Sequence, residues 1–181
     1  MTWYGRGRTR GGRRWWSTVA AGVAVLAPAG CSPEERPLAG VAVDADGTVR
    51  ALLRPCDDDG RVRGPRLHGT VPERAGDTER EADAAAERWV GWEARGTERA
   101  EKDFPLFAPP KRWQAETRGA QELRPGLSYR LTFGDPDDTY AYSGVVIFDA
   151  AQVAALRPGE VLTGTSTTSR EEFEDEARAS C

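Results

Sequence analysis

Asparagine is absent from this chain, histidine occurs once (His68), lysine twice (Lys102, Lys111) and cysteine three times (Cys31, Cys56, Cys181). Each scarcity excludes something. Without asparagine there is no N-linked glycosylation acceptor. With one histidine and no CxxC or CxxxC spacing, neither a zinc site nor a redox dithiol is indicated, and no cofactor is implied. A Ser-His-Asp or Cys-His nucleophile system would have to use His68, yet no G-x-S-x-G, S-x-x-K or H-E-x-x-H accompanies it. His68 therefore reads as an ordinary strand-end residue, and no catalytic residue is assigned. Long apolar runs are also missing. The longest, residues 17–29, has 13 residues, against roughly 20 for a membrane-spanning helix.

What is present is a charge seam. Residues 1–30 carry five arginines and no acid, whereas the remainder carries twenty Lys and Arg against twenty-nine Asp and Glu, a net −9. A basic head, a short apolar run and a small-residue cleavage zone form the layout of an export signal. The pair Arg13-Arg14 followed by Trp15-Trp16 resembles a twin-arginine signal, with a general secretory signal as the alternative. Two cleavages compete at the seam. Ala27-x-Ala29 suits ordinary signal peptidase and would release a free protein starting at Gly30. The run "PAGC" resembles a bacterial lipobox, in which the cysteine, here Cys31, is linked to diacylglycerol and becomes the new N-terminus. Pro28 departs from the aliphatic residue usual three places before that cysteine.

Cysteine arithmetic favours lipidation. If Cys31 carries lipid, Cys56 and Cys181 remain as an even pair able to bridge in an oxidising compartment. The expected organisation is a signal peptide over residues 1–30, a lipidated N-terminus and tether over residues 31–37, and one β-rich domain over residues 38–181. The expected location is the outer face of the cell membrane, with secretion as the alternative.

Within the domain, "PLAGVAVDADGTVRALLRP" alternates around Asp46-Gly47, a strong hairpin signal. "RVRGPRLHG", interrupted by Gly64-Pro65, reads as an edge strand or two short pieces. Residues 77–87 are rich in Glu and Ala and read as a short helix or a solvated insertion. "RWVGWEARG" places Val90, Trp92 and Ala94 on one face and Trp89 on the other. "FPLFAPPKRW" reads as an extended crossing anchored by Phe104, Phe107 and Trp113. "LSYRLTFG" and "YAYSGVVIFD" read as paired strands, the second apolar enough for a central position. Asp149 with Gln152 and Ser169 with Glu172 read as helix-start boxes, the latter opening a helix to about Ala179 with Phe173 and Ala177 inward, and "EVLTG" reads as the last strand. The sum is an antiparallel β-sandwich, immunoglobulin-like or transthyretin-like, with short helices including a C-terminal one; the alternative is an α+β sheet.

These stretches together, "PLAGVAVDADGTVRALLRPC", "WEARG", "FPLFAPP", "LRPGLSYRLTFG" and "LRPGEVLT" ending in Cys, resemble a group of small exported lipoproteins of unknown function from high-GC Gram-positive bacteria. The resemblance implies location and a β-rich fold, and brings no activity.

The remaining candidates are carboxylates and tryptophans. Asp57-Asp58-Asp59 and Asp135, Asp137 and Asp138 are oxygen-rich runs of the kind calcium takes, but turns look the same and neither has EF-hand spacing. Trp89, Trp92 and Trp113 are either a platform for glycan or core residues. The acidic balance argues against a nucleic-acid partner and is compatible with a protein partner in the cell envelope. Two function classes follow: a membrane-held binding or envelope-associated module, and a small carboxylate-based hydrolase, for which a concave site with converging acids would speak.

Overall fold

The computed structural model describes residues 37–56, 60–73, 78–134, 143–164 and 166–181. The first hairpin shows why the chain adopts this fold. β1 (Ala39–Val43) and β2 (Val49–Leu53) pair antiparallel with Val41 opposite Ala51. At the turn, Gly47 N donates to the Asp44 carbonyl and Asp44 N to the Thr48 carbonyl, both at 2.9 Å, while Asp46 Oδ1 accepts from Thr48 N at 2.9 Å. Gly47 has φ +83°, a left-handed backbone that glycine reaches without steric cost.

Among the described residues, β1 and β2 belong to a sheet ordered β12 (Ser166–Ser169), β11 (Glu160–Thr163), β1, β2, β7 (Asp103–Pro105). A second sheet runs β10 (Gly144–Asp149), β9 (Ser128–Phe133), β4 (Arg66–Thr70), β5 (Val90–Glu93), β8 (Glu116–Arg118), and β3 (Arg61–Arg63) pairs with β6 (Thr97–Arg99) alone. All the pairings are antiparallel. The core lies between the two larger sheets: Val41, Ala51 and Leu53 from one and Leu67, Trp92, Leu131, Phe133, Val146 and Phe148 from the other belong to one buried cluster. The protein is a mostly β, antiparallel sandwich with few helices. Trp92, Phe104 and Trp113 pack centroid to centroid at 5.1 to 5.9 Å in its interior. The Trp92 indole N–H reaches the Leu106 carbonyl at 2.7 Å and that of Trp113 the Arg99 carbonyl at 3.0 Å, so neither buried donor is left unpaired.

Three α-helices among the described residues decorate the sheets. α1 (Glu79–Ala86) stands where the Glu- and Ala-rich run predicts it. α2 (Ala150–Ala155) and α3 (Arg170–Ala179) start at the reciprocal boxes Asp149/Gln152 and Ser169/Glu172. In each, the cap side chain satisfies an orphan N–H and the third helical residue reaches back to the cap. α3 covers the outward face of the first sheet, where Phe173, fully buried, meets Ala42, Leu52 and Val161 in a small second cluster. That cover explains why β1 and β2 are apolar on both faces.

The 61–69 stretch is two short pieces, one of its two readings: Gly64-Pro65 separates β3 from β4, and β4 is then the middle strand of its sheet rather than an edge, pairing with β5 and β9. β10 is an edge strand, not a central one; Val146 and Phe148 face the core, and Ile147 on its outer face remains 45% exposed. "EVLTG" forms β11 but is not the last strand: β12 follows it, a polar STTS run with no apolar alternation from which to read a strand, held by backbone pairing to β11.

Candidate functional site

Cys56, just past β2, and Cys181, just past α3, are joined by a disulfide across a sequence separation of 125 residues. Beside it lies an ion-pair network with no signature in the sequence. The Arg54 guanidinium, 11% exposed, has every donor used. Nε and Nη2 bind the Glu174 carboxylate in a forked pair, Nη2 also meets Asp103 at 2.9 Å, and Nη1 donates to the Leu53 and Lys102 carbonyls. Arg170 closes the other side of Asp103 at 2.6 Å. Burial by itself would lower the Arg54 pKa, but the bonds to Glu174 and Asp103 outweigh it and hold it above its ordinary value. The same bond from Arg54 holds the Glu174 carboxyl below the usual carboxylate range. With all its partners inside the fold, this network pins α3 to β2 and β7.

The outer face of the second sheet carries the single histidine. Register sets Ile147, Arg130, His68, Gly91 and Arg118 side by side across its strands. Gly91, between His68 and Arg118, has φ +125°, and a Cβ there would stand 2.1 Å from the Leu67 carbonyl oxygen. The half-buried Trp89 indole stacks on the His68 ring at 4.2 Å, and the Arg118 guanidinium lies over it at 4.6 Å. His68 Nε2 meets Glu93 Oε2 at 3.0 Å. Burial lowers the His68 pKa, opposed by Glu93 and reinforced by Arg66 and Arg118. The stacking and the carboxylate explain His68 as a packed surface residue. No serine or cysteine contact to it is seen among the described residues.

A polar concavity next to this face is lined by Glu93, Glu98, Glu116, Arg95, Arg112 and Gln114, with the buried Trp113 below. It brings three carboxylates to one place. Gln114, ending the short 3-10 turn Lys111–Trp113, has the left-handed φ of 47°. Two of the three carboxylates are engaged, Glu93 with His68 and Glu116 with Arg118 at 2.9 Å and Arg95 at 3.5 Å. A second concavity, between α2 and the 123–128 segment, is mainly apolar, lined by Pro72, Leu123, Leu127, Ile147 and Ala151.

The structure thus brings Cys56 and Cys181 together and takes apart the tryptophan platform: Trp92 is fully buried, Trp113 is 2% exposed, and Trp89 lies on the opposite face of β5. Cys31, Arg13, Arg14, the calcium candidates Asp135, Asp137 and Asp138, and residues 57–59 lie outside the described residues. Among the described residues no group of three or more His, Cys, Asp or Glu is placed to hold a metal ion, and no helix is long and apolar enough to cross a membrane. No protein-family model, curated protein or solved structure matches this chain.

Proposed function

We propose that the chain is an exported lipoprotein, held at the outer face of the cell membrane by lipid on Cys31, whose β-sandwich is a non-enzymatic binding or envelope-associated module. The Cys56–Cys181 bridge carries this reading. A disulfide of this kind belongs to an oxidising compartment, and it accounts for two of three cysteines, leaving Cys31 as the odd one at the lipobox-like seam. Leu38, the first fully buried residue among the described ones, follows Cys31 closely enough in sequence that residues 32–37 serve as a short tether. A diacylglyceryl cysteine supplies two acyl chains, enough for stable anchoring where one chain is marginal. Fractionation of cells expressing Cys31→Ala tests it: the variant leaves the membrane fraction and appears in the medium, whereas an unchanged distribution contradicts the anchor.

The concavity with Glu93, Glu98 and Glu116 is the observation that favours a second reading, a small carboxylate-based hydrolase. Sugar hydrolysis needs one carboxyl free to give a proton and another free to act as base or nucleophile, and the pairing of Glu93 and Glu116 works against it. Release of reducing sugar from cell-wall glycan that disappears in Glu98→Gln would establish this second reading in place of the first.

A further inference from the structure

We propose that the disulfide-closed end of the domain faces the bilayer, and that Arg99, Lys102 and Arg178 there contact lipid headgroup phosphates. The proposal rests on the anchoring at Cys31 and adds an orientation and a contact surface to it. The chain enters the domain at Leu38, whose carbonyl accepts from Arg54 N at 2.8 Å. Two residues after Arg54 comes Cys56 and its bridge to the C-terminal Cys181. The point of entrance and the bridge are therefore one end of the molecule. A six-residue tether, residues 32–37, spans at most about 20 Å at roughly 3.5 Å per residue. A domain of residues 38–181 has a radius of gyration of about 15 Å and is close to 40 Å across. Such a tether keeps the disulfide end near the surface and the far end away from it.

That end carries a concavity lined by Arg54, Cys56, Arg99, Lys102, Arg178 and Cys181. Arg54 is consumed by Glu174 and Asp103 and serves as a scaffold, its Nη1 bonding the Lys102 carbonyl at 2.6 Å. Arg99 and Lys102 are exposed, and Arg178, 74% exposed, shares its charge with Asp175 in a surface pair that exchanges easily for another anion. An arginine guanidinium forks onto two phosphate oxygens, and a lysine ammonium meets a phosphate as a point charge. The domain's net charge is negative, and Asp57, Asp58 and Asp59 follow Cys56 directly in sequence. The attraction is therefore local, made by short-range hydrogen bonds once the tether has brought the surfaces together.

With two lysines in the chain, amine labelling reads Lys102 directly. The lipidated protein is placed either in vesicles of equal parts phosphatidylcholine and phosphatidylglycerol or in neutral detergent micelles, and labelling is followed by mass spectrometry, with vesicle flotation in parallel. Lys102 is expected to label about fivefold more slowly in vesicles, the scale of one basic side chain at an anionic surface. Arg99→Glu with Arg178→Glu, at an unchanged melting temperature, is expected to restore much of the micelle rate. A protein that floats with the vesicles but labels at Lys102 as fast as in micelles, or whose double variant stays equally protected, overturns the orientation and leaves the anchor standing. Failure to float removes the anchor itself.

Discussion

Removing the Cys56–Cys181 bridge by Cys56→Ser with Cys181→Ser, in the mature chain, should lower stability sharply without dislodging α3. Loop-closure entropy gives the size. A cross-link over 125 residues restricts the unfolded chain by roughly 5 kcal/mol at room temperature, an upper value because compact unfolded chains already lose part of that freedom. Domains of this size are stable by roughly 5 to 15 kcal/mol in total, so the loss moves the denaturation midpoint far down. The helix itself keeps three other attachments: the buried Phe173, the Arg54–Glu174 and Arg170–Asp103 pairs, and the Ser169/Glu172 box. Urea unfolding of the oxidised and double-serine forms, followed by far-ultraviolet circular dichroism, measures the difference. A loss of about 3 to 5 kcal/mol with unchanged native helix content is the expected result. A difference below about 1 kcal/mol, or two free thiols in the denatured, unreduced mature protein, would refute the reasoning.

Phe173→Ala, which empties the small cluster between α3 and the first sheet, should cost about 3 to 4 kcal/mol by chemical denaturation, and less than 1 kcal/mol would mean that α3 is not docked as described. Arg54→Met, which unpairs Glu174 and Asp103, each already 34% exposed and able to regain water, should cost roughly 2 kcal/mol, short of the 3 to 5 of a fully buried pair. The Arg54→Met/Glu174→Gln double variant should recover part of that loss. Because burial lowers the His68 pKa from its ordinary 6.5, the unfolded chain takes up that proton more readily than the folded one. The corresponding stability is present above about pH 6.5 and is lost as the pH falls through the lower folded value. His68→Gln should flatten the melting temperature between about pH 7 and 5, and an unchanged slope would exclude this contribution.

The parts of this fold legible in the sequence are those where local chemistry agrees with the tertiary outcome. The Asp46-Gly47 turn, the two capping boxes, the inward set Trp92, Ala94, Phe104, Trp113 and Phe173, and the cysteine pair all follow from spacing and residue type. What could not be read depends on neighbours distant in sequence. β10 looks central because four apolar residues run together, yet its place at the edge is set by β9, which pairs with β4 on its other side. Arg54 looks like one arginine among twenty-three; its role arises from Asp103 and from Glu174, 120 residues away. The Trp89 stack on His68 depends on the register of β4 against β5, which sets His68 opposite Gly91 and which a single sequence does not mark.

Lipid on Cys31 fixes the identity of the N-terminal residue, which intact mass measurement of the protein from the membrane fraction reads. The expected chain begins at Cys31, is heavier than the unmodified peptide by a diacylglyceryl group, and has Cys56 and Cys181 two hydrogens lighter than their reduced form. A chain beginning at an unmodified Gly30, or one retaining residues 1–30, would contradict it.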